Sequence, residues 1–476
     1  MSSADLPGNF TGMRVTVMGL GLHGGGLAAA LYLANRGADV TVTDLRSADV
    51  LAPVLARLPS AVATVLGEHR EEDFRNADLV VKNPAVPRTA PLLQIAPAVT
   101  TDIALFLARW RDRLGEDVGP LVAITGTKGK STTSAATAHI LRETLPGTRL
   151  GGNITVSPLT FVEELEPGDP VVLELSSFQL GDLAYCRHRG EHRGGDLAPP
   201  LLAKVAVITT IFPDHQDYYG SMESYVRDKY EIFRQMDPRG VAIVGDQQEW
   251  SETLAAAARD AGAPRVIQGG RREFSQHPII PGAPMRAALA IAAAAAVHLG
   301  VDQSAIRRGV STFPGVPHRM EIVRQDGDST RTLTWINDTA ATIPEAALAA
   351  VAALEEGASR IVLIAGGSDK GLALAPLTAA AEKVVRSGGA LVLLAGSATD
   401  RLIIELQQRD LPYSGPWENL AAAVTAARLA ATSGDTPVSD VAVPERSVIV
   451  LSPGCASFGM FRNEFDRGDQ FRQLVR

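Results

Sequence analysis

The sequence of 476 residues has only two cysteines, Cys186 and Cys455, and no excess of positive charge. The cysteines lie far apart and follow no paired metal-ligand spacing, so we expect no structural zinc site and a reducing compartment. Acidic residues outnumber basic ones and give a formal net charge of −8. General nucleic-acid binders usually carry a basic excess, so this balance argues against a nucleic-acid partner.

Long apolar runs are also absent. No stretch approaches the roughly 18 apolar residues of a membrane-spanning helix. The first apolar run, residues 15–22, is short and lacks the basic start and the cleavage site of a signal peptide. We therefore expect a cytoplasmic protein with no membrane partner.

The composition, with 46% hydrophobic and 21% charged residues, is typical of a soluble globular protein. Short β-branched runs alternate with alanine- and leucine-rich stretches, which predicts an α/β protein built from βαβ units around parallel sheets. The predicted strands cover residues 14–18, 39–43, 79–81, 121–125, 171–174, 205–209, 241–244, 360–365, 390–395 and 447–452. The predicted helices cover residues 25–35, 131–143, 285–299, 344–355 and 419–431.

Two changes in composition predict domain boundaries. The polar stretch 109–119 precedes a strand, and the turn-rich stretch 313–317 follows an alanine-rich helix. They divide the chain into α/β domains at residues 1–112, 113–316 and 317–476, each of ordinary size. We interpret residues 187–200, rich in Gly, Arg and Pro, as a solvated insertion loop. His188 and His192, one helical turn apart, leave a metal pair as the alternative.

A glycine-rich segment with two lysines is the strongest functional signal. Residues 124–133 read ITGTKGKSTT and lie between a predicted strand and a predicted helix, where a phosphate-binding loop is expected. Lys130 would reach the terminal phosphates, and the Ser131 hydroxyl group would bind Mg²⁺. Ile124 stands where the strict motif has its first glycine, so the match is to a shorter variant, and a turn before a capped helix is the alternative. The nucleotide-binding candidates are Gly126, Thr127, Lys128, Gly129, Lys130, Ser131 and Thr132.

A second glycine cluster follows the first predicted strand. It comprises Gly19, Gly21 and Gly24, and Asp44 ends the next strand about twenty residues later, which fits a dinucleotide-binding fingerprint. Taken alone, the cluster would indicate a nicotinamide-dependent oxidoreductase. Any nucleotide diphosphate can bind such a loop, however, and a tight turn without a ligand is a further alternative.

Three polar groups follow the phosphate loop in sequence. Glu174 ends a predicted strand, His215 lies in the sequence DHQD after another strand, and Lys229 follows in a helical stretch. A carboxylate and a histidine beside a phosphate loop can hold Mg²⁺, which binds few protein ligands together with phosphate oxygens. Singly, Glu174 could be a helix cap and His215 a core histidine; their co-occurrence favours a metal site.

Taken together, these residues resemble the Mur ligases. The motifs that carry the resemblance are GTKGKS (126–131), GGNI (151–154), LELSSFQL (173–180), DHQD (214–217), PHR (317–319), ND (337–338) and LSP (451–453). They occur in the family's order and span nearly the whole chain. The resemblance implies a Rossmann-like N-terminal domain for a UDP-linked substrate, a central P-loop ATPase domain with a parallel sheet, and a Rossmann-like C-terminal domain for an amino acid.

The resemblance is greatest to those members that join glutamate to UDP-N-acetylmuramoyl-L-alanine in peptidoglycan precursor synthesis. It implies an ADP-forming ligase in which ATP phosphorylates the substrate carboxylate and the amine of D-glutamate attacks the resulting acyl phosphate. A phosphate loop with Mg²⁺ suits this activation chemically. The resemblance also implies two Mg²⁺ ions and a carbamylated Lys229, and we expect a monomer.

The resemblance assigns roles by motif position. The implied catalytic residues are Lys130, His215, Lys229 and His318. The implied metal ligands are Ser131, Glu174, His215 and Lys229. Arg319 and Asp338 would face ATP. The implied positions on the UDP-substrate side are Leu22, Asp44, Arg46, Asn153 and Ser176, and those for glutamate are Thr342, Lys370 and Ser457.

Four positions depart from the family pattern. Ala340 replaces a lysine in the N-D-S-K-A-T motif, Pro284 and Met285 replace the last two residues of G-x-H-N, and Glu464 replaces an aromatic residue. These changes leave the reaction type intact but leave D-glutamate, L-glutamate or another amino acid open. The alternatives from other classes are the oxidoreductase and a pseudoenzyme that only binds nucleotides.

Overall fold

The computed structural model describes residues 9–22, 24–153, 156–188, 198–234, 236–246, 250–277, 282–328, 331–432 and 445–476. It divides into two compact units. The first comprises Met1–Ser275 and Ala287–Val310, and the second comprises Gln276–Arg286 and Ser311–Arg476. The described strands form three six-stranded sheets surrounded by helices, so the predicted α/β fold class is confirmed. No helix in these described ranges combines the length and apolarity needed to cross a membrane.

The elements alternate along the chain. The strands are β1 (Arg14–Met18), β2 (Asp39–Asp44), β3 (Ala63–Leu66), β4 (Leu79–Lys82), β5 (Ala98–Thr100), β6 (Leu121–Thr125), β7 (Arg149–Gly152), β8 (Val171–Glu174), β9 (Arg187–His188), β10 (Val205–Ile208), β11 (Val241–Val244), β12 (Val266–Gln268), β13 (Glu321–Gly327), β14 (Arg331–Asn337), β15 (Arg360–Ala365), β16 (Ala390–Leu394), β17 (Ser414–Trp417) and β18 (Glu445–Leu451). The helices are α1 (Gly25–Ala34), α2 (Ala48–Leu55), α3 (Glu71–Arg75), α4 (Pro91–Ile95), α5 (Asp102–Leu114), α6 (Lys130–Arg142), α7 (Ser177–Tyr185), α8 (Gln216–Tyr219), α9 (Met222–Tyr230), α10 (Ser251–Asp260), α11 (Ala283–His298), α12 (Gln303–Thr312), α13 (Pro344–Leu354), α14 (Ala375–Arg386), α15 (Ser397–Gln407), α16 (Leu420–Thr432) and α17 (Glu464–Val475).

The first unit contains two sheets. The strand order of the first is β3-β2-β1-β4-β5-β9, in which the pairs from β3 to β5 are parallel and β9 is antiparallel to β5. The second sheet is parallel throughout, in the order β12-β11-β10-β6-β8-β7. Strands β6, β8, β10 and β11 are buried along their whole length, as parallel strands covered on both faces must be.

The second unit contains one mixed sheet. Its order is β13-β14-β18-β15-β16-β17, and only the edge strand β13 runs antiparallel to its neighbour among the described pairs. The carboxyl ends of β14 and β18 lie side by side, because Asn337 pairs with Leu451. Loops that leave these two ends therefore start next to each other, at the edge where ligands bind in open α/β sheets.

One helix was not predicted, and one interpretation of the sequence is wrong. The first half of the polar stretch 109–119 is the end of α5, which buries Trp110 while Arg109, Arg111 and Arg113 on the same turns stay partly exposed. The stretch 187–200 is not wholly an insertion loop, because it opens with β9, which extends the first sheet. The proposed histidine pair cannot be compared, since His192 lies outside the described residues.

Candidate active site

The phosphate loop runs from the end of β6 into the N-terminus of α6. Gly126 has φ of +144°, and Gly129, which precedes the helix, has φ of +85°. A Cβ atom on Gly126 would lie 2.0 Å from the Thr209 hydroxyl oxygen, so only glycine fits at this turn. The loop therefore directs backbone N–H groups and the positive end of the helix dipole toward one point, the geometry that binds phosphate.

Two threonines directly after β10 fix the loop. The predicted strand 205–209 ends at Ile208, and the hydroxyl groups of Thr209 and Thr210 donate to the Lys128 carbonyl oxygen at 2.6 and 3.0 Å. The backbone N–H of Thr127 donates to the Thr210 carbonyl oxygen at 2.6 Å. Sequence reasoning missed these residues, although two hydroxyl side chains at the end of a strand next to the phosphate-loop strand were a usable signal.

Two lysines converge on one carbonyl oxygen of the loop. The Nζ atoms of Lys130 and Lys229 lie 2.9 and 3.0 Å from the Gly126 oxygen. Lys229 is only 1% exposed. Burial, reinforced by the nearby charge of Lys130, lowers the pKa of Lys229 to about 7. At neutral pH a large fraction of Lys229 is therefore the neutral amine, a nucleophile that an ordinary lysine is not.

Lys229 packs against one ring of an aromatic cluster. The Tyr225 ring lies 4.5 Å from the Lys229 nitrogen, and the Tyr225 hydroxyl group is hydrogen-bonded to the Thr127 hydroxyl group at 2.9 Å. The ring of His215 lies 5.0 Å from that of Phe178, but its side chain is 48% exposed. His215 is therefore not a core histidine, and its imidazole is open to a ligand.

Glu174 ends β8, beside the phosphate-loop strand, and pairs in register with Ile124. Its carboxylate is buried; Oε1 accepts a bond from the Asn153 amide at 3.3 Å, while Oε2 is hydrogen-bonded to none of the described residues. An unpartnered buried oxygen is costly unless a ligand or ion completes it. Glu174 does not cap α7 either, because Ser176 and Gln179 form the capping box there.

The second glycine cluster (Gly19, Gly21 and Gly24) forms a folded loop at the ends of β1 and β2. Both oxygens of Asp44 accept backbone bonds, from the N–H of Gly21 at 3.0 Å and from that of Arg46 at 2.9 Å. The Leu22 side chain is exposed beside them. The Asn83 amide, which sequence reasoning missed, donates to the Gly19 carbonyl oxygen at 3.1 Å. Asp44 thus shapes the loop that would receive a nucleotide.

In the second unit, His318 precedes β13 and Asp338 directly follows β14, and both lie at the same edge of the mixed sheet because Glu321 pairs with Asn337. His318 has φ of +64°. Its pKa is lowered mainly by burial and to a smaller extent by the nearby charge of Arg472. The Asp338 carboxylate accepts bonds from Ser452 at 2.7 Å and from the Met320 N–H at 3.1 Å, and burial raises its pKa to about 6. Arg319, which lies between His318 and Met320 in the sequence, is exposed.

Thr342 and Lys370 line one small cleft of the second unit, together with Cys455. The loops that carry Lys370 and Ser457 are joined by a backbone bridge between Ser368 and Ala456. Ser457 is buried and Lys370 is exposed. The structure thus brings the three predicted glutamate residues onto neighbouring loops, with Thr342 and Lys370 sharing a cleft.

A buried arginine fixes two of these loops and was missed by sequence reasoning. Arg467 is fully buried, and its guanidinium donates to the hydroxyl oxygen of Thr339 at 2.8 Å and to its carbonyl oxygen at 3.0 Å. It also donates to the Cys455 carbonyl oxygen at 3.4 Å. Nothing in a single sequence marks this arginine, since its partners are mainly backbone atoms.

Comparison with known proteins gives consistent matches. Residues 124–281 match the Mur ligase middle domain, and residues 13–104 match the Mur ligase MurD-like N-terminal domain. The chain is 41% identical to UDP-N-acetylmuramoylalanine--D-glutamate ligase of Roseiflexus sp. (strain RS-1) and 34% identical to that of Treponema pallidum (strain Nichols), with 98% of both chains covered in each case. A solved UDP-N-acetylmuramate-alanine ligase from Thermotoga maritima shares the fold, with a TM-score of 0.52, 17% identity and coverage of 98% of this chain and 100% of that one.

The sheets and the phosphate loop define an α/β protein built to bind nucleotide phosphates. The chain belongs to the Mur ligase family. Members of this family are ATP-dependent ligases that form amide bonds, so the resemblance found in the sequence motifs is confirmed and the chain is an enzyme of this class.

Proposed function

We propose that this chain is a cytoplasmic ligase that adds D-glutamate to UDP-N-acetylmuramoyl-L-alanine and converts ATP to ADP and phosphate. Two relatives, each aligned along 98% of its length, are named UDP-N-acetylmuramoylalanine--D-glutamate ligase. The observation that supports the proposal most directly is the pair of lysines at the Gly126 carbonyl oxygen. A phosphate loop with one lysine for phosphates and a second lysine whose pKa is lowered to about 7 suits phosphoryl transfer, and hydride transfer has no use for either.

The chemistry requires activation of a carboxylate, because its oxygen is a poor leaving group. The γ-phosphoryl group of ATP passes to a carboxylate oxygen of the L-alanyl residue, which gives an acyl phosphate and ADP. The amine of D-glutamate then attacks the carbonyl carbon and loses a proton. The bond from this carbon to the phosphate oxygen breaks, and inorganic phosphate leaves. Catalysis of such a transfer consists mainly of positioning and charge stabilisation.

The phosphate loop supplies both. Lys130 and the backbone N–H groups at the start of α6 would hold the phosphates of ATP in place. The remaining roles follow the positions of the family's motifs. His318 would act near the reaction centre, and ATP would also be bound by Arg319 and Asp338. The UDP-linked substrate would be bound by Leu22, Asp44, Arg46, Asn153 and Ser176, and the glutamate carboxylates by Thr342, Lys370 and Ser457.

We assign the Mg²⁺ ligands to Ser131, Glu174, His215 and a carbamylated Lys229. The unpartnered Oε2 of Glu174 and the neutral amine of Lys229 fit this assignment, since CO₂ converts a neutral lysine into an anionic oxygen ligand. Within the described ranges, no cluster of three or more acidic, histidine or cysteine side chains could hold a metal alone, so phosphate oxygens would complete the coordination. Two bound Mg²⁺ ions would neutralise charge on the transferring phosphoryl group.

We also propose three functional domains, at residues 1–112, 113–316 and 317–476, for the UDP-linked substrate, ATP and glutamate respectively. Each range contains most of one of the three sheets. Binding of UDP by the isolated first range would support this division. Failure of that fragment to bind, while the full chain binds, would argue that the first two ranges act as one unit.

The test of the function is phosphate release from ATP in the presence of UDP-N-acetylmuramoyl-L-alanine. D-glutamate, L-glutamate and no amino acid are compared, with NADH oxidation as a separate assay. Release only with D-glutamate is the expected result. Release only with L-glutamate would show that the altered loop at Ala340 changes the stereochemical preference. No release with either amino acid would contradict the proposal.

A further inference from the structure

Four charged side chains connect the end of the first sheet to two helices of the second. We call Lys82, Arg88, Asp182 and Asp228 the charge network. The Nζ atom of Lys82, the last residue of β4, lies 2.5 Å from the carboxylate of Asp182 on α7, and both side chains are fully buried. Arg88, in the loop after β4, donates to the carboxylate of Asp228 on α9. Each buried acid is therefore paired with a base from the neighbouring sheet.

The surroundings of Asp228 leave little room for its carboxylate to move. The Tyr219 hydroxyl group donates to it at 3.0 Å, and a Cβ atom on Gly181 would lie 2.2 Å from it. Arg88 also donates to the Gly181 carbonyl oxygen at 3.2 Å, so one guanidinium holds α7 and α9 at the same point. Removing one partner of such a buried pair leaves an uncompensated charge, which destabilises the surrounding structure.

Asp228 is the residue before Lys229 in the last turn of α9. A shift of this turn by one ångström would change the 3.0 Å separation between Lys229 Nζ and the Gly126 carbonyl oxygen. Residues that support a metal-binding side chain without touching the metal set the orientation of that side chain. Their loss typically costs about ten- to a hundredfold in metal affinity or activity.

We propose that Arg88 is a positioning residue, which holds Asp228 and thereby fixes Lys229 beside the phosphate loop. The inference rests on the role given to Lys229 in the proposed function. It assigns to a loop of the first sheet the task of completing a site in the second. The ion pair of Lys82 and Asp182 also holds α7, the helix that Arg88 contacts at Gly181.

The test uses Arg88→Met, Asp228→Asn and the double variant of the full-length protein. Two quantities are measured: the carbamate signal of the metal-free protein in carbon-13 bicarbonate by NMR, and the Mg²⁺ concentration that gives half-maximal phosphate release. We expect each single variant to lose most of the carbamate signal and to need about ten- to a hundredfold more Mg²⁺. The double variant should be no worse than the worse single one, because both changes remove the same contact.

Two further variants serve as controls. Arg234→Met breaks the half-exposed pair of Arg234 and Glu231 just beyond α9 and should behave as the wild type. Arg88→Lys keeps the cation and should recover part of the carbamate signal if Arg88→Met fails to fold. A wild-type signal and Mg²⁺ requirement in Arg88→Met, or fully additive losses in the double variant, would overturn the proposal. If the wild type releases no phosphate, the proposed function fails, while the NMR signal still decides whether Arg88 positions Lys229.

Discussion

Replacing Lys229 with methionine should change how the stability of the protein depends on pH. Methionine keeps the apolar length of the side chain but cannot take up a proton. In the folded protein, burial and then Lys130 lower the pKa of Lys229 from its ordinary value of 10.5 to about 7. Between these two values the unfolded chain binds more protons than the folded one. The free energy of unfolding of the wild type must therefore rise with pH in this window, relative to that of the variant.

The size of this effect follows from the two pKa values. One pH unit is worth about 1.4 kcal/mol in the middle of the window and less near its ends. From about pH 7 to about pH 9, the wild type should therefore gain about 2 kcal/mol of stability relative to Lys229→Met. Below about pH 6 both curves should run parallel, because Lys229 is then protonated in the folded and the unfolded protein.

The assay is urea denaturation of metal-free protein in buffers freed of CO₂, so that neither carbamate nor metal binding contributes. Comparing the two proteins at each pH cancels the titration of all other groups. Parallel curves from pH 6 to pH 9 would show that Lys229 keeps an ordinary pKa in the folded protein. A gap that widens in the opposite direction would show that the folded state favours its charged form.

Three further predictions concern single residues. Gly126→Ala should cost about 1–3 kcal/mol of stability, because φ of +144° and the contact with Thr209 leave no room for a Cβ atom. The same change should abolish the increase in melting temperature that ATP causes. Thermal denaturation with and without ATP measures both effects. Arg467→Met should cost about 2–4 kcal/mol in chemical denaturation, because it leaves buried backbone oxygens such as that of Thr339 without a donor, and a cost near zero would contradict this. Lys130→Ala should abolish phosphate release and keep the affinity for the UDP-linked substrate in calorimetry; loss of that affinity would show that the two sites are not separable.

The strands at the centres of the sheets could be predicted from sequence, and several at the edges could not. Strands β6, β8 and β11 are apolar runs, apart from Thr125 and Glu174 at the ends of the first two, and their observed bounds equal the predicted ones. Strands β7 and β12 were missed, since β7 reads RLGG and β12 covers only three residues at the other edge of the same sheet. Helix α5 was not among the predicted helices because its second half is rich in arginine, although the other side of that half packs in the core.

The site divides in the same way. The positions of the phosphate loop and of Glu174 could be predicted, because both lie in short motifs at the ends of strands. The bond between Arg88 and Asp228 joins residues 140 positions apart, and no local pattern records it. Likewise, the lowered pKa of Lys229 follows from burial against a loop 103 residues away in sequence, which only the fold determines.

The most direct test of the proposed reaction is the fate of one oxygen atom. UDP-N-acetylmuramoyl-L-alanine with oxygen-18 in its terminal carboxylate is incubated with ATP, D-glutamate and the enzyme, and the inorganic phosphate is analysed by mass spectrometry. Formation of an acyl phosphate requires that one labelled oxygen leaves with the phosphate, so we predict phosphate that carries a single oxygen-18 atom. Unlabelled phosphate, released while the amide product forms, would contradict activation of the carboxylate by phosphorylation.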